Sequence, residues 1–304
     1  MFNPANLPDG LYTELVTPFR GGALDRVGLM SLIEWQIRGG VAGICVCGAA
    51  GETSTLTHEE RMDVIRIAVE VAGSEVPVLV VTGTNCTRTT VEFTQEACAL
   101  GARAAVIVAP YYSKPTQEGV LRHFQVISEA VDIPLVIANA PLRTAIDVGQ
   151  GLVERLSGLP NVVGLIDYTG DLARRGTFPV ACGRSPRHYS GHELTALPFC
   201  LLGGRGAFSV AANVAPRLLT SMFHAQQSGN IPAALELNRR LLPLVQALEQ
   251  EHSVAAAKLA LSCLLGLSPE VRLPLTPVEP STEEAIRGAL ALLGDHRRTR
   301  AARA

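Results

Sequence analysis

Eight short apolar, β-branched runs alternate along this chain with longer segments whose apolar residues return every three or four positions. The runs fall at residues 11–16, 43–47, 78–82, 104–109, 135–138, 162–166, 188–190 and 207–210, and helical periodicity fills gaps such as 24–38, 58–72, 89–100 and 118–130. A continuous apolar run suits a strand buried on both faces, and the helical spacing between runs supplies the cover. Strand then helix, eight times over, is the pattern of a parallel sheet closed into a (β/α)8 TIM barrel, an α/β fold. At 304 residues the length fits one such barrel with an appendage.

The sixth connection breaks the rhythm, because Gly176, Pro179, Gly183 and Pro186 interrupt the helix expected between Asp171 and Arg187. A short or broken helix is expected there. After the eighth run the pattern is helical only, at 216–227, 231–250, 254–265 and 282–293, the last opened by a capping box of Ser281 and Glu284. The expected division is a barrel over 1–214 and a C-terminal helical extension over 215–304, joined in one continuous domain with no linker between them.

Hydrophobic residues make up 47% of the chain, charged residues 18%, and the net charge is -2, which leaves no basic footprint for nucleic acid. The one positive run, Arg297-Arg298-Thr299-Arg300, reads as a solvated, frayed tail. No apolar run reaches membrane-spanning length and no signal segment opens the chain, so a cytoplasmic location is expected. Seven scattered cysteines suggest reduced, buried thiols, and Cys45-Val46-Cys47 reads as core packing on one strand with no second ligand pair for a metal.

Several turns carry a resemblance. Gly48-Ala49-Ala50-Gly51-Glu52, Pro110-Tyr111-Tyr112, Pro115-Thr116-Gln117-Glu118-Gly119, Asn139-Ala140-Pro141-Leu142-Arg143-Thr144, Val162-Val163-Gly164-Leu165-Ile166, Ser190-Gly191 and residues 203–214 follow successive strands. Together they resemble the pyruvate-dependent family of dihydrodipicolinate synthase and N-acetylneuraminate lyase over nearly the whole chain. The resemblance implies a site at the C-terminal ends of the strands. It also implies that four chemical groups have changed. Ile166 stands where the family has its imine-forming lysine, Ala138 where it has a tyrosine, and Ala49 and Ala50 where it has two hydroxyl residues.

Isoleucine has no lone pair to attack a carbonyl, so imine catalysis cannot begin at residue 166. Loss of lysine, tyrosine and hydroxyls together is coherent, since they form one proton-transfer unit. The substitutions also suggest a wider, more apolar floor. The resemblance assigns Tyr112 to a proton relay completed at a subunit contact, and Arg143 to a carboxylate. The expected binding set is Ala49, Ala50, Gly51, Arg143, Ile166 and Phe208. The amides of the Ala49-Ala50-Gly51 turn are expected to hold an anion whatever the side chains, and Glu52 to fix the turn.

Only two lysines exist, Lys114 and Lys258. Lys258 reads as a surface or helix-packing charge far from the strand ends, and Lys114 as a solvated loop residue. Asp167 is expected to face the helices. Tyr168, His192 and Glu193 read as solvated loop residues, with a new acid–base pair as the sharper alternative. Three functions remain open: a binding protein or pseudoenzyme for a small 2-oxo acid or related carboxylate, a lysine-independent enzyme in the same cavity, and a working synthase or lyase of the family type. No cofactor and no metal is expected. A homo-oligomer, dimer or tetramer, is implied by the family likeness.

Overall fold

The computed structural model describes residues 7–177 and 186–301, with side chains described for 7–175 and 186–294. The chain runs β1 (Gly10–Glu14), β2 (Phe19–Arg20), β3 (Ala23–Leu24), α1 (Arg26–Gly39), β4 (Gly43–Val46), α2 (His58–Ala72), β5 (Val78–Val81), α3 (Thr87–Ala99), β6 (Ala104–Val108) and α4 (Gln117–Ala130). It continues through β7 (Leu135–Asn139), α5 (Pro141–Thr144), α6 (Gln150–Leu156), β8 (Val162–Asp167), α7 (Leu172–Thr177), β9 (Arg187–Ser190), α8 (Ala196–Leu201) and β10 (Gly206–Ser209). The remaining helices are α9 (Pro216–Gln227), α10 (Ile231–Glu249), α11 (Ser253–Leu265) and α12 (Pro280–Ala301).

Eight strands close into a barrel in the order β1-β10-β9-β8-β7-β6-β5-β4, and every neighbouring pair is parallel. Closure demands glycine at one point. At Gly206, where φ is +153°, an added Cβ would sit 1.9 Å from the Gly10 carbonyl oxygen of the adjoining strand. The short β2–β3 hairpin stands apart from the barrel.

Period-two alternation sorts the side chains. Leu11, Leu15, Ile44, Ile107, Ile137 and Leu165 face the helices, while Tyr12, Cys45, Leu79, Val106, Val136, Ala138, Ile166, Tyr189 and Phe208 fill the interior. Tyr12 stacks on Phe208 with centroids 4.7 Å apart, and Tyr189 meets both edge-on. These three rings plug the barrel.

Helix starts follow local chemistry. Thr57 and Glu60 form a full capping box on α2, Asp25 caps α1, and Thr116 caps α4. The expected box of Ser281 and Glu284 does not form. Pro280 instead occupies the first turn of α12, with the amides of Thr282 and Glu283 bonded to the Glu279 carbonyl. α7 is short as expected, and residues 178–185 of that connection lie outside the described residues. The side chains of the Arg297–Arg300 tail do too.

The ends of the barrel are stitched by Asn213, in the turn after β10. Its Oδ1 accepts the Val16 amide at 3.1 Å, its Nδ2 donates to the Glu14 carbonyl at 2.8 Å, and its own carbonyl accepts from Trp35 and Gln36 of α1. A second seam joins the C-terminal helices to the mouth. Lys258, expected as a surface or helix-packing charge far from the strand ends, is 1% exposed and reaches the turn after β4. It donates to Glu52 and to the Glu270 carbonyl, and its ammonium lies 4.1 Å from the centre of the Phe19 ring. The surface alternative rests on α11 alone, where the partner is invisible. Arg272 packs on the same ring at 4.1 Å, donates its amide to Glu52 at 2.9 Å and pairs with Glu60.

The cysteines also depart from expectation. Cys45 is in the barrel interior, but Cys47, at a left-handed φ of 58°, turns into the helix-facing core. Cys86, Cys98 and Cys263 are exposed rather than buried. Among the described residues no cluster of three metal-binding side chains forms, and no helix is long and apolar enough to cross a membrane.

Candidate functional site

The turns after the barrel strands converge on the open end of the interior, above Ile166. Ile166 is fully buried and pairs in register with Ala138 on one side and Tyr189 on the other. Phe208, 1% exposed, belongs to the aromatic plug below. Both shape the floor, so the expected direct contact of Phe208 with a ligand finds no exposed surface.

Two residues of the interior face project beyond that floor. Continuing the alternation of Tyr12 places Glu14 inward, and continuing that of Ile166 does the same for Tyr168. The Tyr168 hydroxyl donates to Glu14 Oε1 across the mouth. The Glu14 Oε2 has no partner among the described residues. Tyr168 packs on the interior cluster and lies so close to Gly191 that an added Cβ there would meet its Cδ1 at 2.4 Å. Sequence reasoning expected a widened floor and a solvated Tyr168. The ring instead packs on the interior cluster that includes Ala138 and Ile166, so Tyr168 is not a solvated loop residue and the floor there is not simply widened.

Partial withdrawal from water raises the Glu14 carboxyl above its ordinary value, against the opposing pull of Tyr168 and the Arg143 charge. Burial raises the Tyr168 phenol well above its usual range, and the Glu14 charge adds to it. Arg143 stands on α5, set in place by Asn139, whose Nδ2 donates to Asp147 and whose Oδ1 accepts the Val148 amide, each at 2.9 Å. The Arg143 guanidinium is exposed and forms no ion pair or hydrogen bond among the described residues. A guanidinium so exposed, with no side-chain partner among the described residues, has the donor geometry for an anion.

Glu193 was expected in solvent and is instead bound to the turn after β10. Its Oε1 accepts the Val210 amide at 2.6 Å and the Ala211 amide at 2.9 Å, and its Oε2 accepts the Ser209 hydroxyl at 2.9 Å. Desolvation lifts it to about 7 despite those donors, with the Glu14 charge contributing. His192 is half-buried, with Nδ1 3.1 Å from the Thr195 hydroxyl. Asp167 is buried, as its outward alternation implies, accepting from Thr169 and Arg174.

In the turn after β4, Gly51 and Glu52 use their amides internally, bonding the Gly48 and Ala49 carbonyls. The amides of Ala49 and Ala50 donate to nothing among the described residues. The expected anion cradle therefore shrinks from three amides to two. Glu52 fixes this turn at a left-handed φ of 51°, gripped by Lys258 and Arg272. Lys114 and Tyr112 sit on the exposed loop after β6, at φ 45° and 70°, and Tyr112 is 93% exposed. Among the described residues no amine is placed beside Ile166: one lysine is sealed under the turn and the other is on the surface. A cavity of about 800 Å³ opens elsewhere, between α1, α9, α10 and α12, lined by Trp35, Leu237, Leu290 and Arg240 among others. It holds none of the mouth residues.

Comparison with known proteins places this arrangement among relatives. A model of the dihydrodipicolinate synthetase family matches residues 7–292. A 4-hydroxy-tetrahydrodipicolinate synthase from Ruegeria pomeroyi is 43% identical over 285 residues, covering 94% of this chain and 98% of its own. Dihydrodipicolinate synthase from Thermotoga maritima superposes with a TM-score of 0.92 at 33% identity, over 95% of this chain and 99% of that one. The chloride-inhibited enzyme from Acinetobacter baumannii, solved with pyruvate, gives 0.89 at 35% identity, over 95% and 99%.

Proposed function

We propose that this chain, which belongs to the dihydrodipicolinate synthetase family, binds a small 2-oxo acid or related carboxylate at its barrel mouth without forming an imine. The observation that carries this reading is Ile166, buried at the floor beside Ala138, with Lys258 held by Glu52 and Lys114 on the exposed loop after β6. A Schiff base needs a neutral amine at the carbonyl carbon. The ligand class is supported by the unpaired Arg143 and by the open amides of Ala49 and Ala50, a guanidinium and two donors suited to a carboxylate. Pyruvate, present in the Acinetobacter baumannii relative, is the first ligand to try.

The division into a barrel (1–214) and a helical extension (215–304) within one domain belongs to the same reading, supported by the bonds of Lys258 and Arg272 to the turn after β4. So does a cytoplasmic homo-oligomer, for which Tyr112 at 93% and Leu142 at 97% exposure offer apolar surface near the mouth for a neighbour to cover.

A second reading, a working 4-hydroxy-tetrahydrodipicolinate synthase or another pyruvate-dependent lyase, is favoured by the names of relatives 40–43% identical. Borohydride reduction in the presence of pyruvate, followed by intact mass, separates the two. The first reading expects unmodified protein together with thermal stabilisation by 2-oxo acids. A pyruvyl adduct would establish the second.

A further inference from the structure

Among the described residues, three carboxylates at the strand ends have both oxygens occupied. Glu52 is held by Lys258 and the Arg272 amide, Asp167 by Thr169 and Arg174, and Glu193 by Ser209 and the Val210 and Ala211 amides. Each of these fixes a turn. Glu14 differs, because only Oε1 is engaged, by the Tyr168 hydroxyl, and Oε2 is uncommitted among the described residues. Its backbone is equally constrained, with its carbonyl held by Asn213 at 2.8 Å. A carboxylate aimed inward from a rigid strand, anchored through one oxygen and open at the other, has the geometry of a positioned proton acceptor.

We propose that Glu14 is the general base of this mouth, oriented by Tyr168, and that it removes a proton from the carbon adjacent to the carbonyl of a bound 2-oxo acid. The proposal rests on the carboxylate-binding reading above. In the step, the C3–H bond of the acid breaks and its proton passes to Glu14 Oε2, the freed pair forms the C2=C3 double bond, and the carbonyl π pair moves onto oxygen to give the enolate. Return of a proton to C3 completes an exchange with no net oxidation or reduction. The groups acting on Glu14 are Tyr168, Arg143, Cys45 and Glu193. Of these Arg143 is the cation that offsets the enolate charge while holding the carboxylate of the acid. A carboxyl raised above its ordinary value is also a stronger base once ionised. Tyr168 is a positioning residue: its proton serves Glu14 and does not leave it.

The test uses the full chain in D2O with pyruvate and, separately, 2-oxobutyrate. Loss of the C3 proton signal is followed by NMR, and binding is measured by calorimetry on the same samples. The wild type is expected to exchange the C3 protons above the buffer rate. Glu14→Gln should bind both acids comparably and lose about 100-fold or more of the exchange rate, while Glu14→Asp retains part of it. Tyr168→Phe should shift the pH midpoint of exchange upward, because the hydrogen bond that holds the carboxyl down is gone. A purely packing role would leave that midpoint in place. Binding with no exchange, or exchange untouched in Glu14→Gln, overturns the base alone. Failure of either acid to bind, or a borohydride-trapped adduct, overturns the underlying reading as well.

Discussion

Replacing Lys258 by methionine tests whether the C-terminal helices hold the mouth through a buried charge pair. Methionine preserves the length and apolar stem of lysine, so packing along α11 changes little. What changes is the environment of Glu52, 3% exposed, which loses its counter-charge and keeps only the Arg272 amide at 2.9 Å. Breaking a buried pair from one side leaves an uncompensated charge and costs about 3–5 kcal/mol. At about 2 °C per kcal/mol for a chain of this size, the midpoint should fall by roughly 6–10 °C. The double variant Lys258→Met with Glu52→Gln removes both charges. It should recover to within about 1–2 kcal/mol of the wild type, since neutral replacement of a buried pair costs little. Scanning calorimetry with urea titration measures all three proteins. If the single variant melts within 2 °C of the wild type (roughly 1 kcal/mol at that slope), or the double variant is no better than the single, the pair is not what secures this seam.

Glu193 predicts a pH signature. Its folded-state value is lifted from 4.5 to about 7, so the folded protein holds its proton more tightly than the unfolded chain does. The associated stability is present below about pH 4.5 and is lost as pH rises through 7. Its partial exposure to the mouth discounts the linkage to about 2 kcal/mol, and urea titrations of the wild type and Glu193→Gln between pH 5 and 8 should diverge by that amount. Gly191→Ala would drive a Cβ to 2.4 Å from the Tyr168 ring. It should cost about 1–3 kcal/mol and weaken 2-oxo acid binding, with Tyr168→Ala in the same chain restoring stability. An unchanged melting curve for the single variant would show that the ring is free to move.

The barrel was legible because most of its strands, buried on both faces, read as short apolar runs between helical segments, and each run lies within two residues of an observed strand. Helix α2 matches its expected limits because Thr57 and Glu60 mark its start chemically. The site was less legible. Alternation from Tyr12 indicates that Glu14 faces inward, and that was the available signal. Its partner lies 154 positions away, at a distance no local pattern spans. Lys258 was misread for the same reason, since its partner Glu52 is 206 positions distant and α11 by itself is an alanine-rich helix with one charge. The residues at 49, 50, 138 and 166 are visible in the sequence as single letters. The position of the Tyr168 ring depends on Gly191, just after β9, which only the assembled sheet brings into contact with it.

Asn213 has a bearing on how this protein could be altered. One side chain near the end of the barrel grips the backbone on either side of Leu15, so the aim of Glu14 is decided partly by a residue almost two hundred positions downstream. Chemistry at the first strand is thus conditional on the last turn having formed. A nascent chain released before residue 213 would carry every polar group of the mouth and lack the brace that points Glu14.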